Sequence, residues 1–130
     1  MIVLDTHVWY WWACDQHVRL SANLLETLAT APRIGVSAVS CFEIAHASRK
    51  GRIELPLPLH EWFTEALERS QVDLLPLTPA IVSRAVALTD RHRDQFDRIF
   101  IATALDLDGQ LASVDGQFPA YPELAGRLLA

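Results

Sequence analysis

The sequence predicts a single α/β domain spanning residues 1–130, a central parallel sheet of four to five strands flanked by helices on both faces. Three observations predict it. Short, mostly apolar runs at Ile2–Leu4, Ile34–Val36, Val72–Leu75 and Gln110–Val114 alternate with stretches of helical pattern. The stretches between strands are long enough to return the chain to the same end of a sheet, as parallel pairing requires. A length of 130 residues with 51% hydrophobic content suits one core.

Taken in order, Ile2–Leu4 is the first strand, and Thr6 opens an aromatic-rich helix, HVWYWWA, ending before Asp15-Gln16-His17. Ser21 is the N-cap of a short helix to Leu28, broken by Pro32 and Arg33. Ile34-Gly35-Val36 is the second strand; Ser37 then opens a helix to about Lys50, stopped by Gly51. A proline-punctuated loop, Ile53 to Leu59, feeds a helix near His60–Ser70. Val72–Leu75 is the third strand, and Pro79 starts a helix to about Asp90. Asp94 caps the next helix, Phe96–Leu107, and Asp108-Gly109 turns the chain into the fourth strand, Gln110–Val114. Pro119 and Pro122 mark a loop, and Leu124–Ala130 suits a short helix or a last edge strand.

A net charge of −5 and a pI near 5.4 argue against a broad electrostatic grip on a polyanion. Cations bound at an acidic site would offset part of that charge. A charged fraction of 21% and a mean hydropathy of +0.16 exclude disorder. The hydrophobic fraction slightly exceeds what a small monomer needs, which a dimer or a protein partner would explain. Cys14 and Cys41 form no CxxC pair, as expected in a reducing cytoplasm. With no basic leader before MIVLD and no apolar run approaching about 20 residues, a soluble cytoplasmic protein without membrane contact is expected. Neither GxGxxG nor GxxxxGK appears, so no phosphate-cradling loop is present in the sequence.

Four acids carry the chemistry. Asp5 follows the first strand, Glu43 lies in the helix after the second, Asp97 opens a later helix, and Asp115 follows the fourth strand. In parallel α/β sheets ligands bind in the crevice at the carboxyl ends of the strands. Acids converging there repel one another unless a cation holds them. Oxygen ligands of this kind suit Mg2+ or Mn2+ rather than zinc, and the five histidines form no His-x-x-x-His pair. Such a centre suits hydrolysis of phosphodiesters.

Each acid also has an ordinary explanation. Asp5 is a favoured N-cap. Glu43 matches a capping box with Ser40, although Ser37 directly follows the strand and is the better cap. The helix dipole favours Asp97, although Asp94 already caps that helix. Asp-Gly at Asp115 is a common turn. His7 and His92 are near enough in sequence to the acids to support them. Arg91, His92, Arg93 and Arg98 bracket Asp97; Arg93 and Arg98 are candidate contacts to RNA phosphates, though a solvated helix end explains the cluster equally. The tryptophans Trp9, Trp11, Trp12 and Trp62 suit a core or interface better than base stacking.

Together these stretches resemble the PIN-domain ribonucleases, specifically the VapC-type toxins of bacterial toxin–antitoxin pairs. MIVLDTHVWYWW is similar to that family's first motif, SAVSCFEIA to its Ser-x-x-Ser-x-x-Glu-Ile motif, HRDQFDRIFIATA to its third and LASVDGQF to its fourth. Order and spacing are kept from end to end. The resemblance implies a metal-dependent endoribonuclease, the toxin of a type II system, cutting single-stranded or loop regions of structured RNA. It implies that Asp5, Glu43, Asp97 and, less directly, Asp115 hold one or two Mg2+ or Mn2+ ions, with Ser113 or Thr6 orienting a carboxylate or water. A VapB-like antitoxin partner and a toxin homodimer follow from the same resemblance. Gln95 stands where the family pattern has proline, and the tail after Pro122 is short, implying a reduced or missing last strand.

Rival readings fit less well. A haloacid-dehalogenase-type phosphatase needs a second acid two residues after Asp5, where His7 stands, and a receiver domain needs a lysine late in a chain whose only lysine is Lys50. A non-catalytic PIN-like protein- or RNA-binding module is the alternative from a different class.

Overall fold

In the computed structural model, residues 1–89 and 94–130 are described. The expected helix end at Asp90 and the candidate residues His92 and Arg93 lie outside them. The first strand, β1 (Ile2–Leu4), is buried along its whole length, the mark of a strand covered on both faces. It pairs in parallel with β2 (Ile34–Ser37) on one side and β4 (Gln110–Ala112) on the other. β3 (Val72–Leu75) adds outside β2 and β5 (Leu128–Leu129) outside β4, giving the order β3-β2-β1-β4-β5.

Alternation along the strands builds two cores. Ile2 and Leu4 of β1 join Ile34, Val36 and Val72 on one face. That face is covered by α1 (Thr6–Ala13) through Val8 and Trp9, α2 (Ala22–Thr30) through Leu24 and Leu28, and α4 (Leu59–Thr64) through Trp62. Trp9 and Trp62 meet at 5.1 Å between ring centroids, so these two tryptophans serve the core. Val3 and Leu111 point to the other face, where α6 (Gln95–Asp106) packs Phe100, Ile101 and Ala104 against Phe118, Tyr121 and Leu124. α5 (Pro79–Ala87) lies on α6 through Ile81, Ala85 and Ala102, and α3 (Ala38–Arg49) follows β2.

Several boundaries differ from expectation. The helix read over His60–Ser70 is α4 followed by a π-helical turn, Glu65–Arg69. A 3-10 turn at His17–Arg19 follows α1, and Leu88 is already extended. β4 stops at Ala112, two residues early. The ambiguous tail forms an edge strand of two residues, with Leu111 opposite Leu128 and Ala112 opposite Leu129. Among the described residues no helix is long and apolar enough to cross a membrane.

The Asp108-Gly109 turn works differently from a simple glycine turn. Asp108 takes the left-handed conformation, with φ 50°. Gly109 is needed for closeness: a Cβ there would sit 2.6 Å from the Met1 carbonyl oxygen, which accepts the Gln110 amide at 3.1 Å. Gly109→Ala is therefore expected to push β1 and β4 apart and cost about 1–3 kcal/mol, read as a lower urea midpoint.

Candidate active site

The end of β1 delivers Asp5 to the carboxyl edge of the sheet, where its extended backbone makes it the N-cap of α1. One carboxylate oxygen, Oδ1, accepts the Val8 amide at 2.9 Å; the other, Oδ2, accepts the Ser113 hydroxyl at 2.5 Å. Ser113 follows β4, and its oxygen also accepts the Asp115 amide at 3.0 Å. Asp115 in turn accepts the Gln117 amide at 2.9 Å, making a local turn after the strand. Asp5 is 5% exposed. Burial pushes its carboxyl above the ordinary 3.8, with Asp115 adding to the rise, while Ser113, Val8 and His7 offset part of it.

Ser37 caps α3 by accepting the Val39 amide, which leaves Glu43 in the second turn with no capping task. Glu43 Oε1 accepts the Thr6 hydroxyl at 2.6 Å. Because that hydroxyl spends its one proton on Glu43, the buried Ser40 hydroxyl, 2.9 Å away, donates to Thr6. Burial raises the Glu43 carboxyl above its ordinary 4.5, and the negative charges of Asp94 and Asp5 push the same way. Asp94 caps α6 by accepting the amides of Phe96 and Asp97 at 2.9 and 3.4 Å, and Asp97 stands in the first turn of that helix.

Asp5, Glu43, Asp94, Asp97 and Asp115 all line one cavity of about 90 Å³, together with Thr6 and His7. They come from beyond the ends of two strands, from the second turn of α3 and from the start of α6. Asp106 and Asp108 lie elsewhere: they precede β4, and Asp108 pairs with Arg127 at 2.6 Å.

Residues 2–124 match the PIN domain. The chain belongs to the PIN-domain family. It is 33% identical to Ribonuclease VapC22 of Mycobacterium tuberculosis over 121 residues, covering 92% of this chain and 91% of the relative. Two solved structures share the fold. One is VapBC2 from Rickettsia felis bound to a DNA fragment from its promoter, with a TM-score of 0.70 and 17% identity over 99% of this chain and 98% of that one. The other is a toxin–antitoxin complex from Klebsiella pneumoniae, with a TM-score of 0.65 and 17% identity over 100% and 97% of the two chains.

Divalent-metal dependence is typical of PIN-domain nucleases, and this PIN domain supplies the right donors in kind. They are all carboxylate oxygens, two of them desolvated and repelled by neighbouring acids, which a hard cation would relieve. Among the described residues no three potential ligands stand close enough to chelate an ion without moving. Ser113 and Thr6 hold Asp5 and Glu43 in defined orientations at the cavity wall.

One acid of the cavity was not read from sequence as part of the site. Asp94 was assigned only to capping, yet its place three residues before Asp97 at a helix start is the signal that both share a face. Ser40, the donor behind Thr6, is the second serine of the Ser-x-x-Ser-x-x-Glu-Ile pattern and was read from sequence only as a candidate cap. Arg98, a candidate phosphate contact from the sequence, turns its guanidinium to the end of α5. There it donates to the carbonyls of Ala85, Leu88 and Thr89 at 3.2, 2.8 and 3.0 Å.

Arg98→Met is expected to cost about 2 kcal/mol in urea unfolding, because several carbonyls lose a charged donor. The raised carboxyls carry a pH signature with a definite sign. Asp5 and Glu43 add stability that is complete below 3.8 and 4.5 and disappears as pH rises through their elevated folded values. A divalent cation binds only the ionised forms, so its increase in melting temperature should be small at pH 4–5 and grow towards neutrality. A cation effect independent of pH would contradict this.

Proposed function

We propose that this PIN-domain protein is a divalent-metal-dependent endoribonuclease, the toxin of a type II toxin–antitoxin pair, which hydrolyses phosphodiester bonds in structured RNA with Mg2+ or Mn2+. The observation that carries the reading is the convergence of five carboxylates on one small cavity at the carboxyl edge of a parallel sheet. The ribonuclease name of the Mycobacterium tuberculosis relative supports the activity. The toxin–antitoxin complexes of the same fold support the partner, a VapB-like antitoxin.

Asp5, Glu43, Asp97 and Asp115 are the residues that would hold the cations. When bound, such ions supply a Lewis acid and an activated water for attack at phosphorus. The chain's own part is orientation. Ser113 fixes Asp5, Thr6 fixes Glu43, and Ser40 fixes Thr6, so two first carboxylates arrive already aimed. The antitoxin would silence the enzyme by covering this acidic crevice, and the setting is the cytoplasm. A homodimer is part of the same proposal: Val82 and Val86, one turn apart on α5, expose apolar surface that a second copy would cover.

Antitoxin-free protein is expected to cut total cellular RNA into discrete fragments with Mg2+ or Mn2+, and not with EDTA or after Asp97→Ala. Cleavage that survives Asp97→Ala would sink the carboxylate site. Ser113→Ala and Thr6→Val are expected to lower metal affinity or cleavage by about 10- to 100-fold while the protein stays folded.

A further inference from the structure

A larger groove, of about 280 Å³, opens beside the acidic cavity and shares Thr6, His7 and Glu43 with it. Its remaining chemistry is different. Phe42 and Phe96 meet edge to face with centroids 5.8 Å apart, and His46, one turn beyond Phe42, lies 5.9 Å from the same ring. Each phenylalanine directly precedes an acid of the cavity, Glu43 or Asp97, so the two helices that deliver those acids also deliver the ring pair. Phe42 is 60% exposed, an apolar ring left facing water at the rim of the charged site. The guanidinium-bearing Arg52, exposed in a chain of net charge −5, lines the same groove.

An aromatic face, a cation and a shared wall with an acidic cavity match one kind of ligand closely. A single-stranded nucleotide offers a flat π surface for the ring and an anionic phosphate for the guanidinium. An apolar peptide would use the rings and leave Arg52 without a counter-charge. We propose that this groove is a nucleotide subsite, in which the base flanking the scissile phosphodiester stacks on Phe42 and its phosphate meets Arg52. The proposal rests on the nuclease reading and adds to it a residue that holds an unpaired base beside the acidic cavity.

The test compares wild type, Phe42→Ala, Phe42→Tyr and Arg52→Ala as antitoxin-free full chains, with a mixed-sequence single-stranded oligoribonucleotide pool and Mn2+. Phe42→Ala is expected to raise KM about tenfold with kcat little changed. Phe42→Tyr should restore KM, and the thermal shift given by Mn2+ should match wild type. A second readout separates binding from cutting: a fluorescent purine analogue in the RNA, mixed with Asp97→Ala protein that leaves it uncut. Its quenching should vanish when Phe42→Ala is added to that background. Quenching that persists there, or an unaltered KM in Phe42→Ala, overturns the subsite. A Phe42→Ala protein that cleaves normally but no longer binds its antitoxin also overturns it, assigning the groove to that protein. Quenching without any cleavage by wild type would instead sink the nuclease reading and leave the base-binding groove in place.

Discussion

Asp5 is a carboxyl buried at the carboxyl edge of the sheet, and the strands and helix around it are arranged to give it partners there. Removing a carboxylate from water costs several kcal/mol, while each hydrogen bond to a charged group returns about 1.5–3 kcal/mol. Two such bonds, from the Val8 amide and the Ser113 hydroxyl, offset part of it here. The raised carboxyl says that desolvation still wins. The Ser113 bond exists only because β4 lies beside β1, and that pairing tolerates no side chain at Gly109. A glycine at one end of the sheet thus conditions an acid at the other.

The same groups serve the fold and the crevice together. Asp5 and Asp94 are helix caps and also cavity walls. Capping and site-building are compatible because a helix N-terminus at the carboxyl edge of a sheet already points its amides towards the place where ligands gather. The cap holds one oxygen and leaves the other to face its surroundings. Competing explanations for an acid at such a position are therefore not exclusive, and Asp5 satisfies both geometrically.

Much of this was legible in the sequence because it rests on local signals. β1 and β2 read as short apolar runs, Ser21, Ser37 and Asp94 as caps, and the parallel sheet as alternation of strands with helices. The acids could be placed at one edge because each lies a residue or a turn beyond a strand end or inside a helix start. What was not legible depends on tertiary context. The π-helical turn after α4 has no compositional mark, and the tail, open in sequence between a short helix and an edge strand, is decided by the pairing of Leu128 and Leu129 with Leu111 and Ala112. The Phe42–Phe96 contact joins residues from distant helices, and neither ring's neighbours in sequence announce it.

Asp5 and Ser113 stand 108 residues apart yet share a hydrogen bond. During synthesis the second is made 108 residues after the first. Until β4 and the turn after it leave the ribosome, the acidic crevice lacks Asp115 and Asp5 lacks its Ser113 partner. A nascent chain that has not yet made Ser113 and Asp115 therefore carries the other acids without the hydrogen bond and the wall that complete the crevice.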